Sequence, residues 1–235
     1  MRLVLYPSMV QIARDNLALA LEYHKKVSTL CDALKNLEGY EAEYFLSEKL
    51  SPIENKLNNH CLVALVFAAL AVEGYIYDYA ARKLTDNFVE SHLDKLDVVS
   101  KWVVIPKLVT RKDFPKDKQA FSLLKQLVQN RNYLAHNKSV KLMKADVEPN
   151  LTVNGTSENL TEMLYSDSAK RMLKFGDSIL DKAKDAIKTL DELAIVMESL
   201  DPDEITSGAF HSPVGRAKEQ YTETGIWPWG EEEES

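Results

Sequence analysis

The stretch from Cys61 to Ala81 constrains the fold more than any other, because it is almost continuous in apolar and small residues yet contains Glu73 and Asp78. By length alone such a stretch would span a bilayer, but two carboxylates and the flanking tyrosines argue against a membrane crossing. It reads as a central core helix, apolar on most sides because several neighbours must pack against it at once. Those neighbours are also predicted to be helical. Leu, Ala, Lys and Glu dominate the chain, and eight glycines and eight prolines are few for 235 residues. The expected fold is therefore an all-α helical bundle, large enough to bury one full core.

A helical pattern runs from Ser8 to about Leu37, and a shorter one follows Gly39 to Leu50. At Ser51-Pro52-Ile53-Glu54 a new helix is predicted to start, with Ser51 as the cap, Pro52 in the first helical position and Glu54 reaching back to the cap amide. This helix should continue to about Leu84. A further helix over Asp94–Val109 is expected to end or bend at Pro106, with Lys107–Lys118 as a connector. The next helix spans about Asp117–Asn137. Asp146–Asn159, with Pro149 and Asn154-Gly155, reads as a loop. A long amphipathic helix then covers about Asp167–Leu200, with Met172, Phe175, Ile179, Ala183, Ala186, Leu190, Leu193 and Met197 on one stripe. From Asp201 onward the prolines, glycines and closing glutamates predict an irregular acidic tail with no core of its own. Three parts result: an N-terminal helical extension (1–50) packing on the core, the core itself (51–200) and the tail (201–235).

The first ten residues lack the apolar run and cleavage site of a signal peptide, which predicts a cytoplasmic chain. Cys31 and Cys61 both fall in helical patterns and read as reduced, buried thiols rather than a disulfide or a metal site. No pattern for a metal or a cofactor stands out.

The net charge of −7 argues against general affinity for nucleic acid, but it is unevenly distributed. Between Lys101 and Ala145 eleven Lys or Arg face only Asp113 and Asp117, a local +9 that leaves −16 on the rest. This is either an ordinary solvated face or a phosphate-binding surface, with Lys125, Lys138 and Lys141 as its RNA-binding candidates.

Within that segment lies Arg131-Asn132-Tyr133-Leu134-Ala135-His136. Phe121, Leu124, Leu127, Val128, Leu134 and Ala135 define an apolar stripe at helical spacing, and Arg131 falls inside it. An inward guanidinium needs a partner, because it does not neutralise. Glu73 is the matching carboxylate on the central helix, on the face shared by Leu62, Val66, Ala69, Ile76 and Ala80. The two are expected to meet, within about 6 Å, across the two helices. Asn132 and His136 are four residues apart on one flank, so the three polar residues are expected to face one ligand. His136 can exchange protons near neutral pH, and Arg131 can hold a phosphate.

The Arg131–His136 motif, preceded by Phe121–Asn130 and by Ala68-Ala69-Leu70-Ala71-Val72-Glu73, resembles the HEPN superfamily over roughly residues 51–200. The resemblance implies a HEPN-like helical bundle, usually of four or five helices, working as a homodimer whose two motifs line one cleft. It implies a metal-independent endoribonuclease, often of toxin–antitoxin or anti-phage systems, with Arg131 and His136 as the catalytic pair and Asn132 beside them. Glu73 stands where many such proteins carry a core-helix acid. The alternative within the same resemblance is a non-catalytic helical dimer that binds a nucleotide or a protein such as an antitoxin. Residues 1–50 and the tail lie outside the family pattern.

Overall fold

The computed structural model describes residues 5–34, 36–135, 178–202 and 204. Among them the chain is helical without strands. Its helices are α1 (Tyr6–Leu34), α2 (Gly39–Phe45), α3 (Ser51–Leu84), α4 (Asp86–Phe88), α5 (Val98–Thr110), α6 (Gln119–Ala135) and α7 (Ile179–Leu200). The loop expected at 146–159 lies outside the described residues.

α3 is the axis of the bundle, with α1, α5, α6 and α7 packed against it. Its small residues Ala64, Ala68, Ala71 and Ala80 are fully buried and let neighbouring backbones approach closely. The closest approach is at Gly74, where an added Cβ would lie 3.3 Å from Tyr6 Cβ of α1. α1 meets this surface with Tyr6, Val10, Ala13 and Ala20, spaced three to four residues apart as one helical stripe requires. Beyond Ala20 no described residue of α1 is fully buried, nor is any in α2. The extension thus packs on the core through its first half.

The break expected at Ser51 is absent. α2 runs into α3 through a π-helical turn, Leu46–Leu50, so Gly39–Leu84 forms one continuous helix of 46 residues. Ser51 does not cap it: both its N–H and its hydroxyl donate to Leu46 O, the hydroxyl at 2.9 Å. A proline inside a helix has no N–H and crowds the carbonyl four residues back. The wider π turn immediately before Pro52 accommodates that crowding without ending the helix. By length and composition this helix could cross a membrane; half of its most apolar window is buried within the bundle.

Pro106 likewise does not end its helix. It is buried inside α5, which continues to Thr110 and closes on Arg111 in the left-handed conformation, with the Arg111 N–H donating to Lys107 O at 3.0 Å. The connector therefore starts at Arg111 and not at Lys107. The start of α5 is set by Asp97, whose carboxylate accepts from the Ser100 N–H at 3.0 Å.

Between α3 and α4, Thr85 has φ 81° and ψ 148°, a region that side chains with a Cβ rarely occupy. Thr85→Gly is expected to stabilise the protein by about 1 kcal/mol by relieving this conformation, even after the extra freedom of the unfolded glycine is subtracted. Thermal denaturation checks it: an unchanged or lower midpoint would show that the junction carries no such strain.

An aromatic row joins α1, α3, α5 and the connector that follows α5. Tyr6 meets Tyr75 edge-on at 5.5 Å, Tyr75 stacks on Trp102 at 5.6 Å, and Trp102 meets Phe114 at 6.4 Å. At the C-terminal end of α3 the charges are concentrated. Arg82 bonds Asp78 at 2.8 Å and Glu204 at 2.6 Å, while Lys83 reaches Asp201 at 2.9 Å and Glu204 at 3.2 Å. Tyr79 donates to Asp201 at 2.8 Å. Asp201 and Glu204, which the sequence assigns to a tail without a core, are thus buried against α3. The rest of the tail lies outside the described residues.

Candidate functional site

α6 is seated by Ala120, Leu123, Leu124 and Leu127, all buried, and it packs against α7 and α3. The stripe read from the sequence drifts at its end, where Leu134 is half-buried and Ala135 exposed. Arg131 remains on the inward side. Its Nη2 donates to Glu73 Oε2 at 2.7 Å, so the two charges do meet across α3 and α6. Their side chains are 23% and 39% exposed. Solvent therefore screens the pair, and its contribution is on the scale of a surface bridge, about 1 kcal/mol or less, rather than that of a buried one. Arg131 Nε is buried and has no hydrogen-bond partner among the described residues.

Asn132 follows Arg131 by one residue, about 100° around the helix, and is exposed. Of the three residues expected to face one ligand, Arg131 is drawn towards α3 by Glu73 and Asn132, beside it, faces solvent. His136, Lys138 and Lys141 lie outside the described residues.

The basic segment separates into two groups. Lys101, counted among surface cations from the sequence, is buried with Asp94 at 3.8 Å. Lys107 pairs with Asp113 at 2.8 Å, and Lys112 donates to the Ser199 carbonyl at 3.3 Å. These lysines are engaged by other groups of the fold. Lys116, Lys118 and Lys125 instead line one concavity of about 400 Å³ over the connector and the outer face of α6. Lys125 also stands over the Phe121 ring, 5.6 Å from its centroid. The concavity was not legible as such in the sequence: its lining falls between Lys116 and Gln129, but a residue pattern gives spacing and not the shape of a hollow.

A second polar group, absent from the sequence reading, joins α1 to α3. Asn16 Nδ2 donates to Ile12 O at 2.9 Å, which turns its Oδ1 towards His60 Nδ1 at 2.8 Å. The bond makes Nδ1 the protonated nitrogen of neutral His60. Tyr23 stacks on the same ring at 5.4 Å. His60 precedes Glu73 by thirteen residues, about 20 Å along α3, so this group is separate from the motif.

Burial raises the Cys61 thiol to about 11, partly opposed by Lys184, so it stays protonated at neutral pH. Cys31 is half-buried, less enclosed than its sequence pattern suggested. Among the described residues no three His, Cys, Asp or Glu side chains are grouped to hold a metal ion.

Comparison with protein-family models, with characterised proteins and with solved structures found no match. The class defined by fold and site is thus an all-α bundle with an ion-paired arginine on an outer helix.

Proposed function

We propose that this chain is a metal-independent endoribonuclease of HEPN type, cytoplasmic and homodimeric, with Arg131, Asn132 and His136 at its active site. Its biological setting would be a toxin–antitoxin or phage-defence system, with an antitoxin or another protein as partner. The observation that carries the reading is the placement of Arg131. Glu73 holds the guanidinium from one side at 2.7 Å, while the Arg131 side chain keeps 23% of its surface open to solvent. An arginine held in this way keeps donor capacity for a phosphate oxygen.

In the proposed reaction the RNA 2′-oxygen attacks the adjacent phosphorus and the bond to the 5′-oxygen breaks. The products are a 2′,3′-cyclic phosphate and a 5′-hydroxyl. The proton leaves the 2′-hydroxyl and a proton reaches the departing 5′-oxygen, transfers assigned to His136. Arg131 offsets the charge that builds on the phosphoryl oxygens.

A second reading also draws on the geometry. Because Arg131 is already paired and Asn132 faces elsewhere, the motif also suits a non-catalytic HEPN-like dimer that binds a nucleotide or a protein. Cleavage of single-stranded RNA by the purified full chain in excess chelator separates the two. The nuclease is expected to cut, and His136→Ala to slow cutting by about 10²–10⁴ with the helical circular dichroism unchanged. Equal rates in both proteins, or no cutting across diverse RNAs, would favour the binding module.

A further inference from the structure

We infer that the concavity over the outer face of α6 binds single-stranded RNA, holding the nucleotides that flank the proposed cleavage position. The inference rests on the RNA reading above, but it concerns binding, which is measured separately from cleavage.

The first support is the way the cations are sorted. Lys101 and Lys107 are ion-paired and Lys112 is bonded to a helix-end carbonyl, whereas Lys116, Lys118 and Lys125 make no ion pair among the described residues. Three ammonium groups around one hollow, with Asp117 the only acid in its lining, form a local positive site on a chain of net charge −7. Phosphodiesters are the anions such a site suits, since each lysine can act on a separate phosphate.

The second support is the rest of the lining. Gln119, Gln126, Gln129 and Ser122 supply neutral donors and acceptors, as needed for base edges and a 2′-hydroxyl. Phe121 adds an aromatic ring that is half-buried against Phe114. In a duplex the base edges are paired and the deep groove is closed to side chains, so this mixture of amides and lysines suits an unpaired strand. A hollow of about 400 Å³ lies within the range of small-ligand sites and is ample for one nucleotide.

The third support is direction. Lys118, Ser122, Lys125, Gln129 and Asn132 are spaced alternately by four and three residues, and all five are exposed. They form one polar stripe along α6, about 21 Å long at 1.5 Å per residue. The stripe leads from the hollow to Asn132, beside Arg131. A strand seated on the lysines would follow it to the motif.

The test is fluorescence anisotropy of a labelled single-stranded RNA with the full chain carrying His136→Ala, which prevents cutting during the measurement. Lys116→Ala, Lys118→Ala and Lys125→Ala together are expected to weaken binding by about tenfold or more at low salt and to flatten the salt slope by about two units, from roughly 0.7 per phosphate. The control replaces three exposed lysines elsewhere, Lys25, Lys49 and Lys188, and should change little. An equal loss in the control, an unchanged affinity in the concavity variant, tighter binding to duplex than to single strand, or no RNA binding at all would overturn the inference. If the concavity binds RNA but the native chain does not cut it, only the nuclease reading is lost.

Discussion

Trp102→Ala is expected to cost about 3–5 kcal/mol of unfolding free energy, the range for removing a fully enclosed large aromatic. Trp102 has no exposed surface, stacks on Tyr75 and meets Phe114 edge-on, and its Nε1 donates to Val72 O at 3.2 Å. It therefore joins α5, α3 and the connector that leads to α6. Alanine would leave a void among all three, one that rigid helices cannot close. A loss of this size is a large share of the roughly 5–15 kcal/mol that holds a domain together. Trp102→Phe keeps most of the packing and loses the hydrogen bond, so a cost of about 1–2 kcal/mol is expected. Urea unfolding followed by circular dichroism measures both. A loss below about 1 kcal/mol for the alanine variant would show that α5 is not seated on α3 through this ring.

Arg82→Met is expected to cost about 3 kcal/mol, at the lower end for breaking a buried charge network. Arg82 bridges Asp78 and Glu204, whose side chains are only 10% and 4% exposed. Methionine keeps the stem and removes the charge. The cost stays below the upper end because Arg82 is itself 37% exposed and Lys83 still reaches Glu204. The network also implies a pH dependence through Asp201. Burial alone raises its carboxyl, but the bonds from Lys83 and Tyr79 outweigh that and hold it below the usual carboxylate value. A carboxyl depressed in the folded state contributes stability that is present above its unfolded value, near 3.9, and is lost as pH falls through the folded value. In the Asp201→Asn variant, the acid-induced loss of stability below about pH 4 should be smaller than in the native chain. Equal acid sensitivity, measured by urea titrations at several pH values, would remove Asp201 from the account.

The two halves of the molecule differ in how legible they were from sequence. For α7, six of the eight stripe positions fall on described residues, Ile179, Ala183, Ala186, Leu190, Leu193 and Met197, and all six are buried. Helical period and apolar identity suffice there because the helix has one core face and one wet face. The pairing of Arg131 with Glu73 was legible for a related reason: a single charge on an inward stripe must find its opposite. The direction of Asn132 was not. The buried Ala120, Leu123, Leu124 and Leu127 set which side of α6 faces the bundle, and only that seating leaves Asn132 exposed.

Punctuation by proline and serine misled at two points. Ser51-Pro52 and Pro106 carry strong local signals for a helix start and a helix end, yet both sit inside continuous helices. Local propensity there is worth a few kcal/mol, about 3 for an interior proline. The π turn before Pro52 and the burial of Pro106 within α5 relieve or outweigh it.

From the sequence alone came the all-helical class, the central apolar helix and the two charges that had to meet, because these follow from composition, period and the cost of burying an unpaired ion. Tertiary structure alone decided which lysines are engaged by the fold and which line the hollow, and how residues beyond Leu200 are pinned by Arg82 and Lys83. The ion pairs join residues distant in the chain, and the hollow depends on side-chain positions that no residue pattern encodes.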